Sequence, residues 1–250
     1  MTNNKIYFIA NWKMNAYSSL INRLNKVINL RKKKKFKKAG IIYCPPFTLL
    51  EQFVKISKRG NIDVGAQDCF YESGFGPYTG NVSTKMIKLT GASYIILGHS
   101  EKRTIGDNNN IINKKIKSSI NEKLKIIFCI GESYKEKKQK KTYQVIKNQI
   151  IHGLKNIKKY NDIIIAYEPV WSIGTGLIPK NYEIFQKIDF IKTILRKKFK
   201  FNTPKVIYGG SVNSKNINNL KKIKNVDGFL IGGASLNQNK FIDIVKKTII

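Results

Sequence analysis

The sequence predicts an α/β fold: a single (β/α)8 barrel spanning residues 1–250. Two observations carry that expectation. Eight short apolar, β-branched runs recur along the whole chain, and segments of helical length and period separate them. None of the runs alternates cleanly between apolar and polar residues, which is the pattern of parallel strands covered on both faces. The length of 250 residues suits one barrel of this kind.

The units follow in order. The first run, Ile6–Ala10, leads to a helical stripe over Ser18–Leu30 with Leu20, Leu24, Val27 and Ile28 on one side. Ile41–Cys44 precedes Thr48–Ile56. Val64–Ala66 is followed by a long Gly/Tyr-rich loop, Asp68–Val82, and a less regular helix over Ser83–Leu89. Tyr94–Leu97 pairs with Ile111–Ile120, and Ile126–Ile130 with Tyr143–Ile157. Ile163–Tyr167 runs into an irregular stretch, Pro169–Leu177, before a helix over Tyr182–Leu195. Val206–Tyr208 precedes Ile217–Ile223, and Gly228–Ile231 precedes Gly232–Leu236 and a last helix over Phe241–Ile250. The rival is a doubly wound open sheet, and the lack of a GxGxxG after the first strand counts against it.

Composition excludes several classes. Hydrophobic residues at 42% and charged residues at 25% are those of a globular chain, not a disordered one. No apolar run approaches the roughly 20 residues that span a bilayer. Ile6–Ala10 is too short for a secretory h-region. The three cysteines, Cys44, Cys69 and Cys129, lie far apart with no CxxC spacing, so they read as reduced thiols of a cytoplasmic protein. The net charge of +32 would ordinarily point to nucleic acid. Only 5 of the 47 basic residues are Arg, however, whereas nucleic-acid sites favour its bidentate fork. Lysine, asparagine and isoleucine dominate, as AT-rich codons dictate, so the charge reads as compositional bias. Neither a membrane nor nucleic acid is expected as a partner.

A barrel carries its site at the C-terminal ends of its strands. There the sequence places Asn11-Trp12-Lys13, Gly98-His99-Ser100-Glu101, Cys129-Ile130-Gly131-Glu132, Glu168-Pro169, Gly209-Gly210-Ser211 and Gly232-Gly233-Ala234-Ser235. Asn11 and Lys13 project the same way, being two residues apart. Glycine-rich turns before helices offer backbone N–H groups to an anion. From this pattern a small phosphorylated substrate, a carboxylate base and Lys/His stabilisation of developing negative charge follow. Each residue alone has a plainer reading. A lone His is more often structural, glycine turns need Gly for backbone reasons, and one Lys among 47 basic residues carries little information. Their convergence on the strand ends carries the case.

Several of these segments resemble a known family. Ala10-Asn11-Trp12-Lys13-Met14-Asn15, Leu97-Gly98-His99-Ser100-Glu101-Lys102-Arg103, Ala166–Gly176, Tyr208-Gly209-Gly210-Ser211-Val212 and Gly232–Leu236 resemble the signature segments of triosephosphate isomerases, in the right order. The resemblance implies interconversion of dihydroxyacetone phosphate and D-glyceraldehyde 3-phosphate without metal or cofactor. It implies Glu168 as the base, His99 as a neutral hydrogen-bond donor to the substrate oxygens, and Lys13 and Asn11 as stabilisers of the enediolate. Glu101 and Cys129 take supporting places. Gly174, Ser211, Gly232 and Gly233 match the phosphate grip, and residues 169–177 a mobile lid. The loop 68–82, with Gln67 and Thr79, matches a dimer interface, so a homodimer is expected.

Three departures qualify it. The family's acidic residue after Thr-Gly is Asn81, the first of its two arginines is Lys102, and its usual lysine after the lid is Leu177 in a shortened stretch. A weaker dimer is expected, further opposed by +32 on each subunit. Lysine-rich runs at 31–38, 155–159, 196–200 and 221–224 follow helices and belong on the face opposite the site, where helix C-termini favour cations. Only 135–141 falls on the catalytic side. The competing reading is therefore a catalytically weakened barrel acting as a basic, anion-binding interaction protein.

Overall fold

The computed structural model describes residues 5–15, 21, 24–158, 160 and 162–250. Strands β1 (Ile6–Asn11), β2 (Ala39–Cys44), β3 (Asp63–Ala66), β4 (Tyr94–Leu97), β5 (Lys125–Ile130), β6 (Ile163–Tyr167), β7 (Lys205–Tyr208) and β8 (Gly228–Ile231) form one closed barrel in sequence order. Every pairing is parallel, and β1 closes on β8 through Tyr7↔Gly228 to Ala10↔Ile231. The eight expected runs are these eight strands, each lengthened by at most two residues at an end.

The helices are α1 (Leu24–Lys32), α2 (Leu50–Ser57), α3 (Thr84–Leu89), α4 (Ser100–Thr104), α5 (Asn109–Asn121), α6 (Tyr134–Lys138), α7 (Thr142–Gly153), α8 (Asn181–Phe199), α9 (Ile217–Leu220) and α10 (Gln238–Ile249). The expected start of the first helix, with Ser18 and Leu20, lies outside the described residues, as does Lys159 of one lysine run. The less regular expectation at Ser83 is met by a cap: Ser83 Oγ accepts the Met86 amide and starts α3. Two helices were not expected. The turn α4 follows β4 at once, and α6 starts from a capping box between Ser133 and Glu136. Both are too short to show an apolar period, and neither holds an aliphatic residue.

Strand residues alternate between two separate cores. Phe8, Ala10, Ile126, Phe128, Ile165, Tyr208 and Phe229 pack outward against the helices. Ile9, Ile96, Ile127, Cys129, Ile164, Ala166, Ile207 and Leu230 fill the barrel interior. This is why the runs look continuously apolar: both faces are dry. The alternation also aims the strand ends. Asn11 continues the inward row of Ile9, and Glu168 that of Ile164 and Ala166.

The loop 68–82 is anchored by charge. Lys115 Nζ lies 2.8 Å from Asp68 Oδ1 and 2.6 Å from Asp107 Oδ2, with its side chain 5% exposed. Lys102 reaches Asp68 as well, at 2.9 Å. Removing the central cation strands Asp107 and leaves Asp68 with Lys102 alone, a loss of about 3–5 kcal/mol. Lys115→Met is therefore expected to lower unfolding free energy by about that amount in urea denaturation at neutral pH, and a change under 1 kcal/mol would show the cluster to be solvated.

Candidate active site

All eight residues expected to touch substrate line one cavity of about 220 Å³ at the C-terminal mouth of the barrel. Asn11 and Lys13 come from the end of β1, His99 from β4 and Glu168 from β6. Gly174 comes from the lid, Ser211 from the turn after β7, and Gly232 and Gly233 from the turn after β8. Glu101 and Cys129 are not part of the lining; each stands behind a residue that is. The irregular stretch expected at Gly232–Leu236 holds a 3-10 turn, Gly233–Leu236, and the last helix, expected from Phe241, begins three residues earlier at Gln238, so any grip on an anion there comes from the turn itself.

Glu168 is 2% exposed. Burial pushes its carboxyl above the ordinary carboxylate range, while His99, the Cys129 thiol, Lys13 and the Ser100 amide pull the other way. Its backbone is hemmed in: a Cβ at Gly131 would stand 1.8 Å from the Glu168 carbonyl oxygen, and one at Gly209 would stand 2.8 Å from its Cγ. Glycine at both positions is thus a requirement of the carboxylate's placement rather than of a turn. Cys129 donates its thiol to the carboxylate, and burial keeps that thiol protonated by raising its pKa.

His99 has to be turned into the mouth. Leu97 packs outward, so His99, two residues on, would also face outward on a regular strand. Gly98 breaks the alternation with φ +72, a conformation open to glycine. Arg103 then braces the turn, donating Nε to the Gly98 carbonyl at 2.8 Å and Nη2 to the Cys129 carbonyl at 3.1 Å. The Glu101 amide donates to His99 Nδ1 at 3.3 Å. In the neutral ring a nitrogen that accepts carries no proton, so this contact assigns the proton to Nε2. Nε2 lies 3.4 Å from Glu168 Oε1.

Lys13 holds a left-handed backbone at φ 53. Gln67 stabilises that strained residue by donating Nε2 to the Lys13 and Cys44 carbonyls, both at 2.9 Å. Asn11 Oδ1 accepts the Lys13 amide at 3.1 Å. The ammonium ends 2.6 Å from Glu101 Oε1, which places the cation at the rim. Gln67 therefore has a task inside its own chain, whatever it does at an interface.

Several residues around the site were not singled out from sequence. Glu132 is 2% exposed and accepts from Trp171 Nε1 at 3.0 Å and from the Tyr167 hydroxyl at 3.2 Å. Burial raises its pKa against those donors. Lys137 Nζ lies 3.4 Å from the centre of the Trp171 ring. The start of the lid is thus held between a carboxylate and a cation. Ser172, fully buried, bonds to Leu177 and contacts Tyr208. A Glu at a strand end was visible as a type, but its burial was not.

The triosephosphate isomerase family model matches residues 6–248. The chain belongs to the triosephosphate isomerase family. It is 41% identical over 246 residues to the triosephosphate isomerase of Thermodesulfovibrio yellowstonii, covering 97% of this chain and 99% of that one. It is 39% identical to that of Wolbachia pipientis wMel, covering 96% and 92%. The crystal structure of triosephosphate isomerase from Bartonella henselae superposes with a TM-score of 0.87 at 32% identity, covering 97% of this chain and 98% of that one.

Against the triosephosphate isomerase signature, Lys102 spends its charge within its own chain on Asp68, and Asn81 closes a turn by donating its amide to the Tyr78 carbonyl. Leu177 is 60% exposed at the end of the lid. Among the described residues no group of three or more His, Cys, Asp or Glu could hold a metal ion, and no helix is long and apolar enough to cross a membrane.

The raised Glu168 carboxyl has a stability consequence. Its folded pKa exceeds its unfolded one, so folding favours the protonated acid. Stability is lost as pH rises from the unfolded value of about 4.3 through the folded value. Glu168→Gln removes that burden at neutral pH. A higher Tm than wild type at pH 7, with the difference shrinking near pH 4, is expected by calorimetry; a lower Tm at pH 7 would refute it.

Proposed function

We propose that this chain interconverts dihydroxyacetone phosphate and D-glyceraldehyde 3-phosphate by proton transfer through an enediolate, as a glycolytic and gluconeogenic isomerase. One observation carries the reading: a buried carboxylate 3.4 Å from the Nε2 of a buried imidazole, both walls of one small cavity. A base buried with a raised pKa binds its proton more readily than a free carboxylate, which suits abstraction next to a carbonyl. Glu168 takes that proton and returns it to the neighbouring carbon. His99 Nε2–H donates to the substrate oxygens in turn. Triosephosphate isomerase is itself the standard example of this base and neutral histidine.

Lys13 supplies positive charge to the enediolate and draws in the phosphate, and Asn11 shares that oxyanion contact. Ser211, Gly232, Gly233 and Gly174 hold the phosphate. Glu101 positions Lys13 and His99, and Cys129 positions Glu168. The lid over 169–177 excludes water from an intermediate that would otherwise expel phosphate. No cofactor or metal takes part in this scheme. Three free, buried cysteines support a reducing cytoplasm as its location.

Purified protein is expected to turn over glyceraldehyde 3-phosphate, and Glu168→Gln to lower kcat by ~10²–10⁴-fold, the usual value of a general base. Equal rates for the two proteins would remove Glu168 from its role.

The loop 68–82 is proposed as the homodimer contact, with Gln67 and Thr79 beside it. Phe75 (69% exposed) and Tyr78 (44%) on the loop, and Met86 (42%) in α3, give that side an apolar surface to cover. Lys102, already paired with Asp68, brings no free charge across. With +32 on each subunit, association is expected to strengthen as salt screens the repulsion. Sedimentation velocity at about 10 mM and 200 mM salt, where the Debye length falls from about 30 Å to under 10 Å, checks this; equal dimer affinity at both would overturn it.

A further inference from the structure

Another cavity opens at the end of the barrel opposite the catalytic mouth. It measures about 180 Å³ and lies at the N-terminal ends of the strands. Tyr7 in β1 and the first residues of β4, β5 and β7, which are Tyr94, Lys125 and Lys205, line it from the barrel side. Tyr160 and Phe201, in the segments before β6 and β7, flank it. Barrel interiors are ordinarily filled by layers of branched apolar side chains. Here those layers stop short. Ile96, Ile127 and Ile207 fill the interior, and two residues earlier on the same inward rows stand Tyr94, Lys125 and Lys205.

The polar groups of this lining are poorly occupied. Lys125 Nζ stands 5.4 Å from the centre of the Tyr94 ring, and among the described residues it forms no ion pair. Lys205 reaches Asp227 only at 3.9 Å, because Lys192, at 2.6 Å, and the Val206 amide, at 2.8 Å, already hold that carboxylate. Asp63 lies near and pairs with Lys5. The lining has one carboxylate of its own, the exposed Asp162, against two ammoniums. Tyr94 is 3% exposed, and among the described residues its hydroxyl has no hydrogen-bond partner, whereas a buried phenol is ordinarily paired. That hydroxyl is not one of the sealed, unpaired polar atoms of the described residues, so the little surface Tyr94 keeps opens on the cavity it lines. Burial, aided by Asp63, raises its pKa, so the hydroxyl stays protonated and free to donate.

We propose that this cavity is a binding site for a small aromatic carboxylate, whose charge is met by Lys125 and Lys205 and whose ring lies among Tyr94, Tyr160 and Phe201. Three features select that class. Unpaired ammoniums and a phenol donor call for an anionic acceptor. The Tyr160 and Phe201 rings, 4.8 Å apart and inclined by 29°, make a flat aromatic wall on which a second ring stacks. The volume is below the ~300–1,000 Å³ of drug-sized pockets, so it admits one ring and excludes a nucleotide. The site is separate from the catalytic cavity, and the inference does not depend on the isomerase reading.

The test is a calorimetric titration of the whole protein with benzoate, acetate, benzyl alcohol and inorganic phosphate. Benzoate is expected to bind saturably with Kd on the order of 1 mM, as a one-ring ligand does. Acetate lacks the ring and benzyl alcohol the charge, so each is expected to bind at least about tenfold more weakly. Lys125→Met and Tyr94→Phe are each expected to weaken benzoate about fivefold, the worth of one hydrogen bond, with turnover of triose phosphate unchanged. Lys125 is exposed, so its variant tests binding without disturbing the core. A purely structural tyrosine would lower Tm in Tyr94→Phe and leave benzoate affinity as it is. Inorganic phosphate, which suits the catalytic cavity, is expected not to displace benzoate. No saturable benzoate binding, affinities within about twofold of wild type in both variants, or displacement of benzoate by phosphate overturns the site. Acetate or benzyl alcohol binding as tightly as benzoate overturns it too, since the rings or the lysines would then take no part.

Discussion

Burial of the Glu168 carboxylate is the constraint around which the mouth of this barrel is arranged. An acid 2% exposed has to be positioned by neighbours that leave it no room to turn away. Gly131 and Gly209 make that room and no more. Cys129 and the Ser100 amide donate to it from the ends of the neighbouring β5 and β4 strands. His99 faces it because Gly98 reverses the strand's alternation and Arg103 locks the reversal. Folding accepts a charge it would rather protonate, and the same pressure makes that charge a better base.

The barrel makes this arrangement economical. Parallel strands that close in sequence order bring six distant segments to one rim with their inward rows already aligned. Only His99 and Lys13 need a special backbone to point correctly, and each is braced by a side chain from elsewhere: Arg103 for the first, Gln67 for the second. Strain among these side chains is thus confined to Lys13, since glycine takes the positive φ before His99, and both turns are held by hydrogen bonds.

Charge is distributed with a similar logic. The chain has only 15 acidic residues against 47 basic ones, and its partly or fully buried acids serve structure or chemistry. Asp68 and Asp107 enclose Lys115, Asp227 meets Lys192 at 2.6 Å, and Glu132 receives Trp171, while the exposed Glu101 meets Lys13 at the rim. The lysines of the 31–38 and 196–200 runs stand almost wholly in solvent at helix ends, where charge costs little. Their number says more about composition than about partners.

The sequence by itself determined the eight strands, because a segment dry on both faces must be apolar throughout, and the chain order leaves no other closed arrangement of β–α units. It also determined the residues at the mouth, since strand ends in a barrel converge whatever their neighbours. Tertiary structure alone decided the rest. That Glu132 is buried under Trp171, that Lys102 pairs with Asp68, and that Ser172 bridges Leu177 to Tyr208 depend on which side chains meet across the closed barrel. Those meetings are set by the stagger of the strands and the course of the lid, distances between residues far apart in the chain that no local pattern encodes.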